Sequence, residues 1–296
     1  MSGRRIGFIG LGNMGGRMAR RLAAAGHAVA GHDSALGRAG ECGAESVASV
    51  AQVASRSDVI LLSLPDSAVV ERVVAGADGI LANARSGQTV VDLSTAAPRS
   101  TIELHRRLGE AGVAYIDAGI SGGAAAAEAG TLTLMVGGEQ DQVGAVRWVL
   151  EPFSRKIIHM GGSGAGHMAK LLNNFLNAVS LAATAEVMVA GKKAGLDLDL
   201  LLEAFNSSSG VNFATLNRFP KIVHGDYLEG GLTGKLMSKD ILLYIDAMRE
   251  LGVASLNAPG PLASFGLGTA LGYGDKISNR VVDAIGDVSG GVRLHS

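Results

Sequence analysis

Strand-like segments alternate with helical patterns through the first 161 residues of this chain and then stop. Most of the strand-like segments are separated by amphipathic stretches, and this alternation predicts a mostly parallel sheet covered by helices. The strand-like segments are RIGFIG, HAVAGHD, DVILLSLP, TVVDLST, VAYIDAG, TLTLMVGG and KIIHMG. Only the Gly/Ala stretch ISGGAAAAEAGT separates VAYIDAG from TLTLMVGG, so the topology is least defined there.

Beyond residue 161 only helical periodicity remains. Residues 165–194 form one proline-free pattern that, as a continuous helix, would extend about 45 Å. Further apolar helical patterns follow, separated by Gly, Pro or Asn. The sequence therefore predicts an α/β domain over residues 1–163 and an all-α domain over residues 164–296. A long interdomain helix over residues 164–194 would join them.

Composition narrows the classes of partner. Hydrophobic residues make up 47% of the chain and charged residues 18%, with a net charge of −1. Because no dense Lys/Arg tract or uninterrupted membrane-length apolar run occurs, we expect no nucleic-acid or membrane partner. The first strand-like run begins within a few residues of Met1, which leaves no room for a signal peptide and predicts a cytoplasmic location. The only cysteine, Cys42, is expected to pack as a small hydrophobe.

A glycine-rich turn joins the first predicted strand to the first predicted helix. Gly10, Gly12 and Gly15 have the G-x-G-x-x-G spacing, which would permit a tight turn, approach of a pyrophosphate and close helix packing, respectively. Asp33, at the end of the second strand, is placed to accept hydrogen bonds from ribose hydroxyls and to repel a 2′-phosphate. The pattern predicts a Rossmann-type domain that binds NAD, while Arg38 nearby leaves NADP as the alternative.

The long predicted helix carries a cation and amides among apolar residues. Lys170, Asn174 and Asn177 are spaced i, i+4 and i+7 and therefore share a face, whereas Asn173 points elsewhere. Because burial without partners is costly, this face either lines a crevice with a polar occupant or forms a solvated or capping stripe. Just before it, GGSGAG at 161–166 follows a strand and opens a helix. We interpret GGSGAG as a flexible hinge, with a second phosphate loop as the alternative.

Together these segments resemble the β-hydroxyacid dehydrogenases, the family of 3-hydroxyisobutyrate dehydrogenase and tartronate semialdehyde reductase. Four blocks covering nearly the whole chain carry the resemblance: GFIGLGNMG at 7–15, YIDAGISGGAAAAEAGTLTLMVGG at 115–138, GAGHMAKLLNN at 164–174, and KD at 239–240. The resemblance implies a Rossmann domain, a long linking helix and a helical domain, with the active site in the cleft between the domains. It also implies NAD-dependent interconversion of a short β-hydroxy acid and its semialdehyde, in a homodimer or homotetramer.

The resemblance also assigns roles to individual residues. It implies that Lys170 is the catalytic lysine. The residues that would hold the substrate are Ser121, Gly122, Gly123 and Asn174. The residues that would hold the cofactor are Gly10, Leu11, Gly12, Asn13, Met14, Gly15, Asp33, Leu64, Pro65, Thr95 and Lys239.

The residue types suit this chemistry. A lysine ammonium near the forming alkoxide would supply the proton during reduction, and in oxidation it must be neutral, so we expect desolvation to lower its pKa. Backbone N–H groups at 121–123 would cradle a carboxylate, because glycines allow close approach. The neighbouring carboxylates Asp117 and Glu128 are expected to be structural.

No metal is expected, because the histidines are scattered and neither an H-E-x-x-H motif nor a cysteine pair occurs. We expect His159 and His167 to form local hydrogen bonds.

Departures from the family pattern bear on specificity. Gly119 stands where many relatives have proline, and Leu232 lies where many have phenylalanine, so the pocket shape is expected to differ. Ser34 follows Asp33 where NADP-using relatives tend to have arginine, which favours NAD. The segment NSSSGVNFATLNRFP at 206–220 interrupts the helical pattern with small polar residues and is expected to contribute to substrate selection.

Other functions fit the same motifs less well. One alternative is an NADP-dependent semialdehyde or glyoxylate reductase of the same superfamily. Another is a non-catalytic dinucleotide-binding module, which retention of Lys170 disfavours. Imine reductases usually have another residue at the lysine position.

Overall fold

The chain divides into two compact units, Met1–Lys170 and Leu171–Ser296. The structure is a computed structural model that describes residues 4–295. The first unit is built on one eight-stranded sheet. Its strands are β1 Ile6–Ile9, β2 Val29–His32, β3 Glu45–Ser46, β4 Val59–Leu62, β5 Thr89–Asp92, β6 Ala114–Ser121, β7 Leu132–Gly137 and β8 Ser154–Gly161.

The strand order is β3-β2-β1-β4-β5-β6-β7-β8, and every neighbouring pair is parallel except β6 and β7. The predicted mostly parallel sheet is therefore confirmed. The antiparallel pair falls where the sequence left the topology least defined, because an antiparallel connection needs only to turn back and not to cross over. Strand β3 has two residues, too few to produce a sequence pattern.

Helices cover the sheet of the first unit on both faces. They are α1 Gly15–Ala24, α2 Arg38–Glu41, α3 Val50–Arg56, α4 Ser67–Ala75, α5 Ile80–Asn83, α6 Pro98–Glu110, α7 Gly123–Ala129 and α8 Gln140–Leu150, followed by the 3₁₀ turn Glu151–Phe153. Alternate residues of the strands enter two separate apolar clusters, with Leu61 in one and Ile60 and Leu62 in the other. Burial on both faces explains why the parallel strands are almost continuously hydrophobic.

Two sequence expectations concern residues outside the sheet. Cys42 is buried in the core, and this burial raises the pKa of its thiol, so its predicted role as a small hydrophobe is confirmed. Glu128 of α7 forms ion pairs with Arg17 and Arg20 of α1, at 3.3 and 3.1 Å. Glu128 therefore links two helices, which agrees with the structural role expected for it.

The second unit is helical. Helix α9 spans Ala165–Lys193, which confirms the helix predicted from the pattern over 165–194 and carries the chain into this unit. The helices that follow are α10 Leu198–Asn206, α11 Phe213–Asn217, α12 Phe219–Ile222, α13 Gly234–Leu251, α14 Pro259–Ala270 and α15 Val281–Val288, with a 3₁₀ turn at Ser278–Arg280.

The helix ends follow local chemistry. Asp197 accepts hydrogen bonds from two backbone N–H groups at the start of α10, and Asn212 with Thr215 forms a capping box on α11. Gly252 ends α13 with a φ of 69°, a conformation that glycine adopts readily. Between residues 4 and 295, no helix is both long and apolar enough to span a bilayer.

Candidate active site

Loops after five neighbouring strands of the first unit meet at one edge of the sheet. Gly10 follows β1, Asp33 follows β2, Leu64 and Thr95 lie beyond β4 and β5, and Ser121 ends β6. These strands are parallel and adjacent, so their carboxyl ends share an edge. Ligands of open α/β sheets bind at this edge. The fold therefore brings the predicted cofactor residues of this unit close to the predicted carboxylate loop.

The glycine turn after β1 is shaped by close contacts. Gly10 has a φ of 88°, and a β-carbon on it would overlap the carbonyl oxygen of Ser63. A β-carbon on Gly15 would overlap the carbonyl oxygen of Gly10. At Gly12, by contrast, it would meet only the Nη1 atom of Arg38, 3.7 Å away. The turn is thus tight at two glycines and open at the third, which fits a pyrophosphate approaching the backbone.

Asp33 binds the glycine turn directly. Its Oδ2 accepts a hydrogen bond from the Leu11 N–H at 2.6 Å, and its Oδ1 accepts one from the Ala35 N–H at 2.8 Å. Leu11 is buried, whereas Asn13 is exposed and Met14 is half-buried. Each carboxylate oxygen has a further lone pair, so Asp33 orients the turn and retains capacity for an external donor such as a ribose hydroxyl.

The loop after β6 exposes backbone groups. Ser121 is half-buried at the strand end, and Gly122 and Gly123 are exposed with φ values of 131° and 70°. A β-carbon on Gly122 would lie 2.6 Å from the β-carbon of Ala126, whereas one on Gly123 would meet nothing within 4 Å. Glycine adopts these positive φ values readily, and the space into which a side chain at position 123 would project is open.

The stem of Lys170 packs against strand β6 of the same unit. A β-carbon on Gly119 would overlap the Lys170 β-carbon and lie 3.0 Å from its γ-carbon. Gly119 comes two residues before Ser121, so the buried lysine lies beside the carboxyl end of β6. The absence of a side chain at position 119 therefore allows helix α9 to approach the strand closely.

Asp117, also in β6, binds the start of the lysine helix. Its buried carboxylate accepts hydrogen bonds from the N–H groups of Gly164 and His167, both at 2.8 Å, with one oxygen used for each. An anion at a helix N-terminus is stabilised by the helix dipole. A second phosphate loop at 161–166 is thus unsupported, because the protein's own carboxylate occupies the anion position. The structural role predicted for Asp117 is confirmed.

A buried polar chain lies beside the first turn of α9. The ring nitrogens of His167 lie 2.7 Å from the Thr101 hydroxyl and 3.3 Å from the backbone oxygen of Asp92. The Tyr115 hydroxyl donates to the Asp92 carboxylate at 2.8 Å, and burial, reinforced by Asp92, raises the tyrosine pKa well above its ordinary value. The local hydrogen bonding predicted for His167 is confirmed, and the contacts fix its side chain three residues before Lys170.

In the second unit, one carboxylate connects two of the predicted site residues. The Asn174 amide donates to Oδ2 of Asp240 at 2.5 Å, and the Lys239 ammonium lies 3.1 Å from Oδ1 as an ion pair without hydrogen-bond alignment. Asp240 is 2% exposed. Asp240 belongs to the KD block of the sequence, but the resemblance implies a site role only for Lys239. Asn173 is exposed while Lys170 and Asn174 are buried, which agrees with the prediction that Asn173 points away from their face of the helix.

Metal ligands are not grouped in the part of the chain that the structure describes. No cluster of three or more His, Cys, Asp or Glu side chains suitable for a metal lies within residues 4–295. His159 contacts the backbone oxygen of Gly138 at 2.8 Å through Nε2, as expected of a locally bonded histidine. A reaction without a metal remains a prediction.

Two family models match the chain in succession. The NAD-binding domain of 6-phosphogluconate dehydrogenase matches residues 5–162. The NAD-binding domain of NADP-dependent 3-hydroxyisobutyrate dehydrogenase matches residues 164–259. Both models describe binding of a nicotinamide dinucleotide, in agreement with the glycine turn.

Named relatives match most of the chain. It is 35% identical over 286 residues to 2-(hydroxymethyl)glutarate dehydrogenase of Eubacterium barkeri, covering 94% of this chain and 93% of the relative. It is 38% identical over 270 residues to NAD-dependent L-serine dehydrogenase of Pseudomonas aeruginosa, covering 88% and 90%.

A solved structure has the same fold. The 3-hydroxyisobutyrate dehydrogenase of Mycobacterium tuberculosis, studied with L-serine, superposes with a TM-score of 0.84 at 31% identity. The match covers 94% of this chain and 98% of the other. The Rossmann architecture of the first unit and the all-helical second unit are therefore confirmed.

Proposed function

The chain belongs to the β-hydroxyacid dehydrogenase family of NAD(P)-dependent oxidoreductases, and we propose that it oxidises the CH₂OH group of a short β-hydroxy acid to the semialdehyde. Three compounds named with its relatives are 3-hydroxyisobutyrate, L-serine and 2-(hydroxymethyl)glutarate. Each is a carboxylic acid with CH₂OH on C2, and they differ only in the other C2 substituent. This common part defines the proposed substrate class.

The cofactor would be held at the carboxyl edge of the sheet. The turn from Gly10 to Gly15 would bind the pyrophosphate, and Asp33 would bind the adenosine ribose. Leu64, Pro65 and Thr95, with Lys239, would line the remainder. A bound nicotinamide supplies the hydride acceptor. We propose a preference for NAD because the Asp33 carboxylate would repel a 2′-phosphate, while Arg38 beside Gly12 supports NADP as the second candidate.

Lys170 is the proposed general acid and base. The observation that carries this role is the packing of its stem on Gly119, two residues before the Ser121 loop. In oxidation the neutral amine would accept the hydroxyl proton, and in reduction the ammonium would return it to the forming alkoxide. The buried lysine environment suits a group that must be neutral for part of its cycle.

The substrate carboxylate would bind the N–H groups of Gly122 and Gly123 with the Ser121 hydroxyl. Their exposure and the open space at Gly123 support this assignment. Asn174 would contact the substrate through its side-chain amide. Asp240 holds this amide in place by accepting a hydrogen bond from its Nδ2. Because Asp240 also pairs with Lys239, it would orient a substrate residue and a cofactor residue together.

The test uses the full-length protein with NAD⁺ or NADP⁺ and the three β-hydroxy acids. Lys170→Met preserves much of the stem and removes the titratable group, so we expect kcat to fall roughly 10²- to 10⁴-fold. The Kd for NADH, measured by fluorescence titration, should change less than about 3-fold because the glycine turn is untouched.

Lys192→Met, an exposed lysine in the last turn of the same helix, is the matched control and should retain wild-type turnover. Retention of activity in Lys170→Met would exclude the acid/base role. NADH binding by the wild-type protein without turnover of any β-hydroxy acid would favour the binding-module alternative.

We also propose a homodimer or homotetramer. The second unit exposes large apolar side chains, including Leu176, Leu200 and Leu256. Light scattering coupled to size-exclusion chromatography would measure the mass directly, and a monomer at micromolar concentration would contradict this proposal. The cytoplasmic location remains a prediction from the sequence.

A further inference from the structure

Arg218 of the helical unit has neutral partners only. It lies between α11 and α12, where its Nη1 donates to the Asn279 side chain at 2.7 Å and its Nη2 donates to the Asn177 side chain at 2.9 Å. Its guanidinium carbon lies 5.7 Å from the centroid of the Phe213 ring. Both acceptors are amide oxygens, so they orient the guanidinium without neutralising it.

Other arginines of this unit differ from Arg218 because they pair with carboxylates. Arg280 pairs with the Asp283 carboxylate at 2.9 Å, and Arg249 pairs with the Asp246 carboxylate at 2.9 Å. Within residues 4–295, no carboxylate forms an ion pair with Arg218, although its side chain is half-buried. Burial lowers the pKa of Arg218 to about 10, so the group is still cationic at neutral pH. A desolvated cation without a counter-ion is costly unless a ligand supplies the anion.

The position of Asn177 connects this cation to the lysine helix. Asn177 is seven residues after Lys170 on α9, on the same face and about 10 Å further along the axis. Helical side chains lean toward the N-terminus, so the Asn177 amide points back toward the turn that carries Asn174. The guanidinium is thus held at the far end of the polar stripe that begins at the proposed catalytic lysine.

Arg218 retains donors for a ligand. A guanidinium has five N–H donors, and the two amides use two of them, which leaves Nε–H and one N–H on each terminal nitrogen. Two parallel donors of this kind match the two oxygens of a carboxylate. The single positive charge matches a carboxylate better than a doubly charged phosphate.

We propose that Arg218 binds a second carboxylate, carried by the C2 substituent of the substrate, so that the preferred substrate is a β-hydroxy dicarboxylate. This inference rests on the proposed function, because the first carboxylate and the hydroxyl are assigned to Ser121–Gly123 and Lys170. It also gives a chemical role to the 206–220 segment, in which Arg218 and Phe213 lie.

The test compares three probes on the wild-type enzyme and on Arg218→Gln. The probes are 2-(hydroxymethyl)glutarate, its C5 monoamide, which has nearly the same shape without the distal charge, and 3-hydroxyisobutyrate. We expect wild-type kcat/KM to be at least roughly 30-fold higher for the dicarboxylate than for the monoamide. In Arg218→Gln this ratio should fall to within about 3-fold, mainly through KM, with 3-hydroxyisobutyrate turnover little changed.

Further variants separate charge from folding. Arg218→Lys keeps the positive charge but loses the two parallel N–H donors of the guanidinium, so the ratio of kcat/KM for the dicarboxylate to that for the monoamide should be intermediate. Arg249→Gln changes an exposed arginine of α13 and should leave this ratio at the wild-type value. Thermal melts of all variants report whether the helical unit folds. Equal loss of activity with all three probes in Arg218→Gln, or no wild-type preference for the dicarboxylate, would overturn the proposal.

A binding measurement distinguishes this inference from the proposed function. Calorimetry would measure the Kd of glutarate and of its monoamide for the NADH complex. Charge-selective binding that disappears in Arg218→Gln, without turnover of any hydroxy acid, would retain the anion site and reject the dehydrogenase assignment. If the enzyme turns over the monocarboxylates but binds glutarate and its monoamide with equal affinity, the dehydrogenase assignment is retained and the anion site at Arg218 is rejected.

Discussion

The β-carbon of Lys170 occupies the space in which a side chain on Gly119 would begin. The contact joins α9 to β6 two residues before the proposed carboxylate loop. The contact therefore fixes the distance between Lys170 and the end of the strand. This placement of the lysine depends on having glycine, the smallest residue, at position 119.

Gly119→Ala should displace the start of α9 and reduce kcat about 10- to 100-fold, because ångström-scale misplacement of a catalytic group has effects of this size. The Kd for NADH should be nearly unchanged. The matched control is Gly162→Ala, in the loop before the same helix, where a β-carbon would meet nothing within 4 Å. Steady-state kinetics on both variants check the prediction, and equal kcat values would show that the contact is unimportant.

Asp117→Asn should destabilise the protein by about 1–3 kcal/mol. The native carboxylate uses a separate oxygen for each of two backbone N–H groups, and an amide offers only one acceptor. Urea unfolding would measure the loss, and faster hydrogen exchange at Gly164 or His167 would locate it.

Asp197→Asn is the control for this substitution. A single oxygen of Asp197 accepts both capping hydrogen bonds of α10, so an asparagine preserves them and stability should hardly change. Similar losses in the two variants would argue against the two-oxygen explanation for Asp117.

Asp33→Asn should weaken the preference for NAD⁺ over NADP⁺. We expect the ratio of the two kcat/KM values, NAD⁺ over NADP⁺, to fall at least roughly 10-fold. The amide oxygen can still accept from the Leu11 N–H, while the charge that would repel a 2′-phosphate is removed. Glu41→Gln, an exposed carboxylate of α2, removes the same charge elsewhere and should leave the ratio unchanged. An unaltered ratio in Asp33→Asn would count against its role in cofactor choice.

Asp58 should contribute acid-sensitive stability. The Arg5 backbone N–H, with the Arg5 and Arg85 side chains, lowers the pKa of Asp58 to about 2. Because the folded pKa lies below the unfolded value of about 3.9, the contribution is complete above that pH and is lost as pH falls toward about 2. The carboxylate is partly exposed, so we expect about 1 kcal/mol after solvent screening.

Urea unfolding of Asp58→Asn from pH 7 to pH 2 measures this contribution. The variant should be less stable than wild type at pH 7 and converge with it at low pH, while Asp78→Asn, at an exposed position, should follow wild type throughout. A constant difference across the range would assign the effect to something other than ionisation.

Features with a local cause could be predicted from the sequence. The spacing of Gly10, Gly12 and Gly15 describes one turn, and the structure shows two of these positions closed to a side chain and one open. The long helix was predicted over 165–194 and spans 165–193, because its periodicity is unbroken by proline.

Features that depend on distant pairing could not be predicted. Asp117 reaches backbone groups 47 and 50 residues away, and Asp240 reaches Asn174 across 66 residues. The sequence around each acid resembles that of many structural carboxylates. Their hydrogen-bond partners follow only from the packing that brings the elements together.

The one antiparallel pairing among the described strands, β6 with β7, has a consequence for how this enzyme can be altered. A parallel neighbour must be reached by a crossover of fixed minimum length, whereas an antiparallel neighbour is reached by a turn of any length. The segment from Ser121 through α7 is such a turn. A change of length there would leave the order of the sheet intact, so the loop proposed to bind the substrate carboxylate can be altered without rebuilding the strands that carry the glycine turn.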